Sequence, residues 1–260
     1  MTSFSKRIEA AIERFVRRLL GFREFERLID AARPYTALTF ASRILEVLGV
    51  RVELSGEPVD TIPASGPLLV IANHPLGFID GMALDALLLS RRPDVTILAW
   101  YLVADIPGIG DHYTYVDPLQ SEARRHLNVR GWRRAYDWLK QGRLLAVFPS
   151  GSVARLDLSR SAVIDPPWSA HIARVARRTR VPVLPVYVEG RNGWLFQLSG
   201  LVFRRLHESL IVRDIPRMRN RTLRVVIGRI IPAEELARFA TDEEASDFMR
   251  QKTEALAPVS

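Results

Sequence analysis

The sequence of 260 residues contains no cysteine. The protein therefore has no disulfide, no thiolate nucleophile and no Cys-ligated zinc. Long apolar runs are also missing: none approaches the roughly 18 to 20 residues that a membrane-spanning helix needs. The N-terminus lacks the uninterrupted apolar core of a signal peptide. We expect a chain that neither spans a membrane nor leaves the cytoplasm, and we expect any thiol chemistry to belong to a substrate.

Several familiar active-site motifs are absent as well. Gly108-Ile109-Gly110 lacks the third glycine of a dinucleotide fingerprint, and there is no Walker A lysine loop. No segment reads G-x-S-x-G, and no histidine pair has the spacing of a helical zinc site. We therefore expect no metal site and no bound cofactor, and the nucleotide-loop, serine-hydrolase and metallohydrolase interpretations lose their usual support.

Positive charge is unevenly distributed. The formal net charge is +8, and residues 171 to 229 contain 13 arginines against three acidic residues. Such an excess favours an anionic partner, either nucleic acid, an acidic membrane surface or a phosphate-bearing substrate. No aromatic stacking platform or recognition motif accompanies the charge, so we expect no nucleic-acid partner.

The N-terminal segment, residues 1–49, has a helical pattern. Residues 4 to about 20 alternate apolar and basic positions at helical spacing, Gly21 ends that helix, and two more are predicted towards Pro34 and from Tyr35 to Leu48. A basic amphipathic helix of this type lies in the interface of an anionic membrane or packs on the protein's own core. We assign residues 1–49 to membrane association.

Residues 50–260 alternate between predicted strands and predicted helices, which is typical of an α/β domain. The fold class we predict is a mostly parallel central sheet flanked by helices, with functional loops at the carboxyl ends of the strands. The tail from 231 to 257 is predicted to be helical. The predicted strands are 67–72, 95–103, 143–148, 181–188 and 222–227, and the predicted helices are 81–89, 118–140 and 169–178.

One polar loop follows the first of these strands, in the segment IANHPLGFIDG that spans residues 71 to 81. Pro75 and Gly77 force a tight path, so His74 and Asp80 can approach each other across five intervening residues. A carboxylate bound to one imidazole nitrogen leaves the other nitrogen as a base. Asp80 could alternatively serve as a helix N-cap, and Asn73 could bond to backbone at the strand end. From the loop alone, a catalytic pair and a structured turn are both open.

A second loop, in the segment VFPSGSVAR, spans residues 147 to 155 and also follows a predicted strand. Gly151 permits close backbone approach, and neighbouring N–H groups can form a nest for an oxyanion or a phosphate, with Arg155 supplying charge. A plain strand-exit turn is the alternative.

Together these segments resemble the glycerolipid acyltransferase superfamily, and within it the hemolysin-like branch that includes ornithine-lipid and related aminolipid acyltransferases. The matching segments are IANHPLGFIDG, VFPSGSVAR and VPVLPV at residues 181 to 186, with DPPW at 165 to 168 and GRN at 190 to 192. The similarity extends from about Val52 to Pro232.

The resemblance implies transfer of an acyl group from acyl-CoA or an acyl carrier protein (ACP) to the hydroxyl or amine of a lyso-lipid, without an acyl-enzyme. His74 would be the general base and Asp80 its orienting partner. Peripheral attachment to the cytoplasmic face of the inner membrane is implied too. Substrate-binding positions carried over by similarity are Asn73, Gly77, Phe148, Pro149, Ser150, Gly151, Ser152, Arg155 and Arg191.

Three departures from the superfamily pattern bear on the acceptor. The His–Asp loop is one residue longer than the common H-x-x-x-x-D, as in the hemolysin-like branch. Ser150 and Ser152 stand where the third block usually carries a glutamate, and Asp111 and Asp117 lie where classical enzymes have a phosphate-binding arginine. The longer loop favours the hemolysin-like branch over the phosphatidate-forming enzymes, the missing arginine favours an amino-acid-type acceptor, and the two serines leave the acceptor head group open. We expect a lyso-aminolipid acceptor. The alternatives are a lysophosphatidic acid acyltransferase, or a lipid-binding protein that has lost turnover.

Overall fold

The structure is a computed structural model that describes residues 21–118, 121–160, 162–194, 196, 197 and 211–258. Its helices are α1 (Phe22–Ala31), α2 (Phe40–Leu48), α3 (Phe78–Leu89), α4 (Arg125–Lys140), α5 (Ala170–Thr179), α6 (Ile211–Asp214), α7 (Ala233–Leu236) and α8 (Asp242–Glu254). Its strands are β1 (Arg51–Gly56), β2 (Leu68–Ala72), β3 (Val95–Trp100), β4 (Thr114–Val116), β5 (Leu144–Val147), β6 (Arg155–Asp157), β7 (Ala162–Ile164), β8 (Val183–Val188) and β9 (Thr222–Ile227).

Seven strands form one central sheet in the order β1-β9-β8-β2-β5-β3-β4. Neighbouring strands are parallel except for β8 and β9, which are antiparallel. Strands β6 and β7 form a separate antiparallel hairpin. The prediction of a mostly parallel sheet flanked by helices is confirmed.

The central strands are buried on both faces, which explains their continuous apolar runs. Every residue of β2 and β5 is buried, as expected for parallel strands covered by helices on both sides. Side chains of β2 alternate between two apolar clusters: Leu68 and Val70 join helices α1, α2 and α3, whereas Leu69 and Ile71 join α4, α5 and α8. The sheet therefore separates two helical layers.

The N-terminal helices contribute to the first of these layers. Leu28 and Ile29 of α1, and Phe40 and Ile44 of α2, are buried in the same cluster as the sheet. The helix predicted for residues 4 to 20 lies outside the described residues, and the membrane-associated role of residues 1–49 stays a prediction. Within the described part of the chain, no helix has the length and hydropathy needed to cross a membrane.

Several element boundaries differ from those predicted, for local reasons. The strand predicted to reach Val103 ends at Trp100 and continues as a 3-10 turn, and the helix predicted from Pro118 begins at Arg125. The predicted helical tail is divided into α7 and α8. A new helix begins at Asp242 because Thr241 caps it by accepting the N–H of Glu244. Strands β4, β6 and β7 are three residues each and too short for their pattern to be recognised.

Candidate active site

Three loops meet at one edge of the sheet. Strand β2 lies between β5 and β8 and is parallel to both, so their carboxyl ends point the same way. The loop after β2 carries His74, the loop after β5 carries Phe148 to Ser152, and the loop after β8 carries Arg191. Strand order thus brings together segments that lie far apart in the chain.

His74 and Asp80 form a hydrogen-bonded pair in this edge. Nδ1 of His74 lies 3.0 Å from Oδ2 of Asp80. The Asp80 side chain is 0% exposed, and that of His74 is 18% exposed. With Nδ1–H donating to the carboxylate, Nε2 carries the free lone pair, and among the described residues it has no hydrogen-bond partner. The geometry suits a base that takes a proton from an incoming group.

The same carboxylate oxygen holds the loop in shape. Oδ2 of Asp80 accepts the N–H groups of Leu76 at 2.7 Å and Gly77 at 2.9 Å. Asp80 is the third residue of α3, and Gly77 occupies the N-cap position. The N-cap of α3 is therefore Gly77, three residues before Asp80, which the sequence had offered for that position. One atom, Oδ2 of Asp80, caps the helix and also orients the ring of His74.

Gly77 is required by the path of this loop. Its φ is 81° and its ψ −114°, a conformation that only glycine adopts readily. A Cβ at this position would lie 2.8 Å from Cγ2 of Ile211 and 3.2 Å from Cγ2 of Val153. Glycine is therefore needed at position 77 for structural reasons. That Gly77 contacts substrate stays a prediction.

The loop after β5 packs directly on the histidine. The rings of His74 and Phe148 are stacked, with centroids 4.0 Å apart and an interplanar angle of 21°. Phe148 thus covers one face of the imidazole ring, and Asp80 bonds to the edge of the ring at Nδ1.

The rest of that loop is a tight turn. Gly151, with φ of 61°, donates its N–H to the carbonyl of Phe148 at 2.9 Å, and Ser150 Oγ donates to the carbonyl of Ser152 at 2.8 Å. The N–H of Gly151 is therefore used inside the turn. Gly151 is exposed, and a Cβ on it would meet only Pro118, at 3.9 Å. The space beside the turn is open, and the oxyanion and acceptor roles of this loop stay predictions.

Two asparagines tie the loops together. The amide of Asn73 donates to the carbonyl of Val188 at 2.8 Å and accepts its N–H at 2.6 Å. Asn192 donates to the carbonyl of Pro75 at 3.1 Å. Both polar atoms of Asn73 are thus bonded to the backbone of β8, which is the structural alternative considered for it. The sequence offered no signal for the role of Asn192 beyond its place in the GRN segment.

The two predicted arginines differ in exposure. Arg155 begins β6 and is half-buried, and Arg191 is exposed in the loop after β8. Among the residues that the structure describes, neither guanidinium makes an ion pair or a hydrogen bond. By contrast, Arg217 and Arg224 are paired with acidic side chains.

An apolar cavity of about 220 Å³ opens beside His74. Its walls come from helices α1, α2 and α3, strand β3 and the segment from 211 to 215. The lining residues are Phe22, Phe25, Phe40, His74, Gly77, Phe78, Gly81, Met82, Ile97, Leu98, Ala99, Trp100, Val103, Ile106, Ile109, Tyr113, Phe148, Ile211, Val212 and Ile215. This composition suits a hydrocarbon chain, and sequence reasoning missed it because its walls are scattered along the chain.

A second buried histidine lies behind the cavity. Nε2 of His112 is 2.9 Å from Oδ1 of Asp85, and the hydroxyl of Tyr113 donates to Oδ2 of Asp85 at 2.6 Å. Burial, reinforced by the Asp85 carboxylate, raises the pKa of Tyr113 well above its usual value. The cluster ties the segment before β4 to helix α3 and was not predicted.

A third carboxylate, Asp165, touches the main chain of His74. The N–H of His74 lies 3.1 Å from Oδ1 and 3.2 Å from Oδ2 of Asp165, and Nε1 of Trp168 donates to Oδ2 at 3.1 Å. Burial raises the pKa of the Asp165 carboxyl to about 6, although the hydrogen bond and charge of His74 and the Trp168 N–H act to lower it. Both residues belong to the DPPW segment, for which the sequence indicated no role.

Comparisons with known proteins place this geometry in a family. The family model described as Acyltransferase matches residues 51–189. Lyso-glycine lipid O-acyltransferase from Phocaeicola vulgatus is 21% identical over 252 residues, which cover 94% of this chain and 87% of that protein. The protein of the same name from Bacteroides thetaiotaomicron is 20% identical over 253 residues, covering 94% of this chain and 89% of that protein.

A solved structure shares the fold. The crystal structure of the 1-acyl-sn-glycerophosphate (LPA) acyltransferase PlsC from Thermotoga maritima matches with a TM-score of 0.55 and 20% sequence identity, covering 85% of this chain and 76% of that chain. The matched family region contains the His74 loop, the turn after β5 and strand β8. Since that region is more than half of the chain, the protein belongs to the Acyltransferase family and is an acyltransferase.

Proposed function

We propose that this protein transfers a fatty acyl group from an acyl-CoA or acyl-ACP thioester to the hydroxyl or amine of a lyso-aminolipid, at the cytoplasmic face of the inner membrane. The observation that carries the proposal is the His74–Asp80 pair at the mouth of an apolar cavity. The apolar lining of the cavity is suited to an acyl chain, and His74 is one of its lining residues.

The chemistry needs a base and no nucleophilic side chain. The acceptor oxygen or nitrogen bonds to the thioester carbonyl carbon as its proton passes to Nε2 of His74. Collapse of the tetrahedral intermediate breaks the carbon–sulfur bond, and His74 returns the proton to the departing thiolate. Asp80 holds the ring and stabilises the imidazolium that forms between these steps. A direct transfer of this type agrees with a chain that has no cysteine.

The acceptor is proposed from charge. Two relatives are named lyso-glycine lipid O-acyltransferases. Arg155 and Arg191, unpaired among the described residues, are suited to the carboxylate of an amino-acid head group. Ser150 and Ser152 stand in place of the usual glutamate and do not discriminate between acceptors. Asp111 and Asp117 lie where the classical enzymes have a phosphate-binding arginine, which favours a lyso-aminolipid over lysophosphatidic acid.

The proposal is tested by thiol release from purified protein with acyl-CoA or acyl-ACP and a panel of lyso-aminolipids, lysophosphatidic acid and other lyso-lipids. We expect release with a lyso-aminolipid, and we expect His74→Ala to reduce it by about 10² to 10⁴-fold, the usual contribution of a general base. His126→Ala, at an exposed position of α4, is the matched control and should retain the wild-type rate.

Different outcomes identify the alternatives. No release above the His74→Ala level with any acceptor contradicts the transferase proposal, and lipid binding without turnover would identify a binding protein. Preference for lysophosphatidic acid over every lyso-aminolipid would overturn the acceptor assignment alone.

A further inference from the structure

The hairpin of β6 and β7 holds the main chain of His74 from both of its ends. The residue before β6, Ala154, donates its N–H to the carbonyl of His74 at 2.8 Å. The residue after β7, Asp165, accepts the N–H of His74 with both carboxylate oxygens, at 3.1 and 3.2 Å. Arg155 and Ile164 are paired in the ladder between them. Both polar groups of the histidine's own backbone are therefore bonded to one hairpin.

Asp165 is itself held rigidly. Its carboxylate accepts Nε1 of Trp168 at 3.1 Å, and its backbone carbonyl accepts Nη2 of Arg250, from helix α8, at 3.1 Å. Arg250 is in turn paired with Glu254 one turn along that helix. Asp165 is 7% exposed, so the carboxylate has little freedom to follow a moving loop. The loop that carries His74 must therefore take the position that the Asp165 carboxylate sets.

We propose that Asp165 is a positioning residue for the catalytic histidine, fixing the peptide of His74 so that its ring lies between Asp80 and Phe148. The inference rests on the proposed function. Asp165 acts through His74 and does not contact the substrate. A peptide rotation here would redirect the Cα–Cβ bond of His74, and a misplacement of about 1 Å at a reacting group reduces a rate on the order of 10²-fold.

The ionisation of Asp165 gives the proposal a measurable consequence. The polar and titratable groups that face Asp165 come from four parts of the fold. They are His74 in the loop after β2, Asp80 in the first turn of α3, Tyr187 on β8, and Arg250 on α8, together with the nearby Trp168. With its pKa raised to about 6 by burial, the carboxyl is ionised at pH 8 and takes up a proton below pH 6. A protonated carboxyl carries a donor of its own and bonds less well to two N–H groups. Activity should therefore fall below about pH 6, partly because of Asp165.

The first test is Asp165→Asn, which replaces one acceptor oxygen with an NH₂ group facing two N–H donors. We expect kcat to fall by about 10²-fold at pH 8 with KM for donor and acceptor near wild type. We also expect a shallower decline of kcat below pH 6, because one group that must be ionised is gone.

A matched control separates positioning from loss of stability. Asp94→Asn removes the carboxylate that holds the buried Arg92 before the amino end of β3, at the opposite edge of the sheet. It should destabilise the fold while leaving kcat and its pH profile near wild type. Trp168→Phe removes the N–H that lowers the pKa of Asp165 and replaces the buried indole with a smaller ring. The acid limb should therefore move to higher pH while kcat at pH 8 changes only a few-fold.

A measurement independent of turnover completes the test. In NMR spectra of the full chain, the amide proton of His74 should titrate with a midpoint near pH 6 in the wild type, because burial raises the pKa of Asp165 to about 6. This step should vanish in Asp165→Asn. Wild-type kcat with an unchanged acid limb in Asp165→Asn, while His74→Ala is inactive, would overturn the proposal. Absence of turnover in the wild type would contradict the proposed function instead, and the amide titration would still decide whether Asp165 governs His74.

Discussion

At the scale of single residues, the candidate site depends on how one carboxylate is used. Three N–H donors converge on Oδ2 of Asp80, from the His74 ring and from the backbone of Leu76 and Gly77. Oδ1 of the same group is buried and has no hydrogen-bond partner among the described residues. The orientation of the histidine and the start of α3 therefore depend on the same atom, and neither can be altered without the other.

Asp80→Asn should impair both functions. The amide is uncharged, so its oxygen accepts the three N–H groups more weakly than the carboxylate oxygen does, which weakens both the orientation of His74 and the cap of α3. We expect thiol release to fall by roughly 10²-fold or more and the free energy of unfolding to fall by about 1 kcal/mol. Steady-state kinetics and urea unfolding measure the two effects. Asp137→Asn, on an exposed face of α4, should change neither. Unimpaired turnover in Asp80→Asn would remove Asp80 from the mechanism.

Asp165 should also leave a signature in stability. Its folded-state pKa of about 6 lies above the ordinary value of 3.8, so the folded protein binds this proton more tightly than the unfolded chain. The resulting stabilisation is complete below pH 3.8 and is lost as the pH rises through 6. The difference in unfolding free energy between wild type and Asp165→Asn should fall by about 2 kcal/mol between pH 4 and pH 7.

Urea unfolding of both proteins at several pH values measures this difference, and other carboxylates cancel because they are common to the two. A difference that stays constant with pH, or grows as the pH rises, would show that Asp165 is not a carboxyl of raised pKa.

At the scale of elements, the turn from β2 into α3 determines where the catalytic pair lies. Gly77 has φ of 81° and faces Ile211, so Gly77→Ala adds backbone strain and a steric clash at the same position. We expect a loss of about 1 to 3 kcal/mol in unfolding free energy together with a loss of activity, because His74 lies three residues away. Chemical unfolding and thiol release are the measurements.

Gly66→Ala is the control for that substitution. Gly66 has φ of 89°, but a Cβ there would meet nothing within 4 Å. It should therefore show the backbone strain alone, with a smaller loss of stability and normal activity. Equal losses in the two variants would mean that contact with Ile211 contributes nothing.

At the scale of the whole molecule, tertiary contacts reduce the positive charge that the arginine-rich region, residues 171 to 229, presents to a partner. Several of its side chains are paired with acidic residues from elsewhere in the fold: Arg174 and Arg177 with Asp242, Arg224 with Glu53, and Arg229 with Glu57. Part of the local excess is thus neutralised internally. The net charge of +8 remains and favours an anionic surface.

We predict that the full chain binds vesicles of anionic phospholipid more strongly than neutral ones, and that binding weakens as salt is raised, since each Lys or Arg near an anionic surface contributes about 1 kcal/mol. Cosedimentation measures the bound fraction. Arg17→Glu with Arg18→Glu should reduce it more than Arg238→Glu with Lys252→Glu, which makes the same charge change elsewhere. Equal binding to neutral and anionic vesicles would contradict membrane association through the basic N-terminal segment.

The sequence by itself determined the features that depend on neighbours in the chain. Continuous apolar runs indicated the buried parallel strands, because a strand covered on both faces has no polar side. His74 and Asp80 are close in sequence, so a glycine and a proline between them were enough to predict their approach. The ordered segments around 74, 151 and 184 indicated the family.

Only the tertiary structure decided what joins distant segments. Asp165 meets His74 across 91 residues, and Asn73 meets Val188 across 115. The cavity draws its walls from both the N-terminal helices and the segment after 210. Periodicity shows which face of an element is buried, but the partner it is buried against depends on strand order and chain crossing. That order is settled by the packing of the whole core, which is why the surroundings of His74 could not be predicted from its loop.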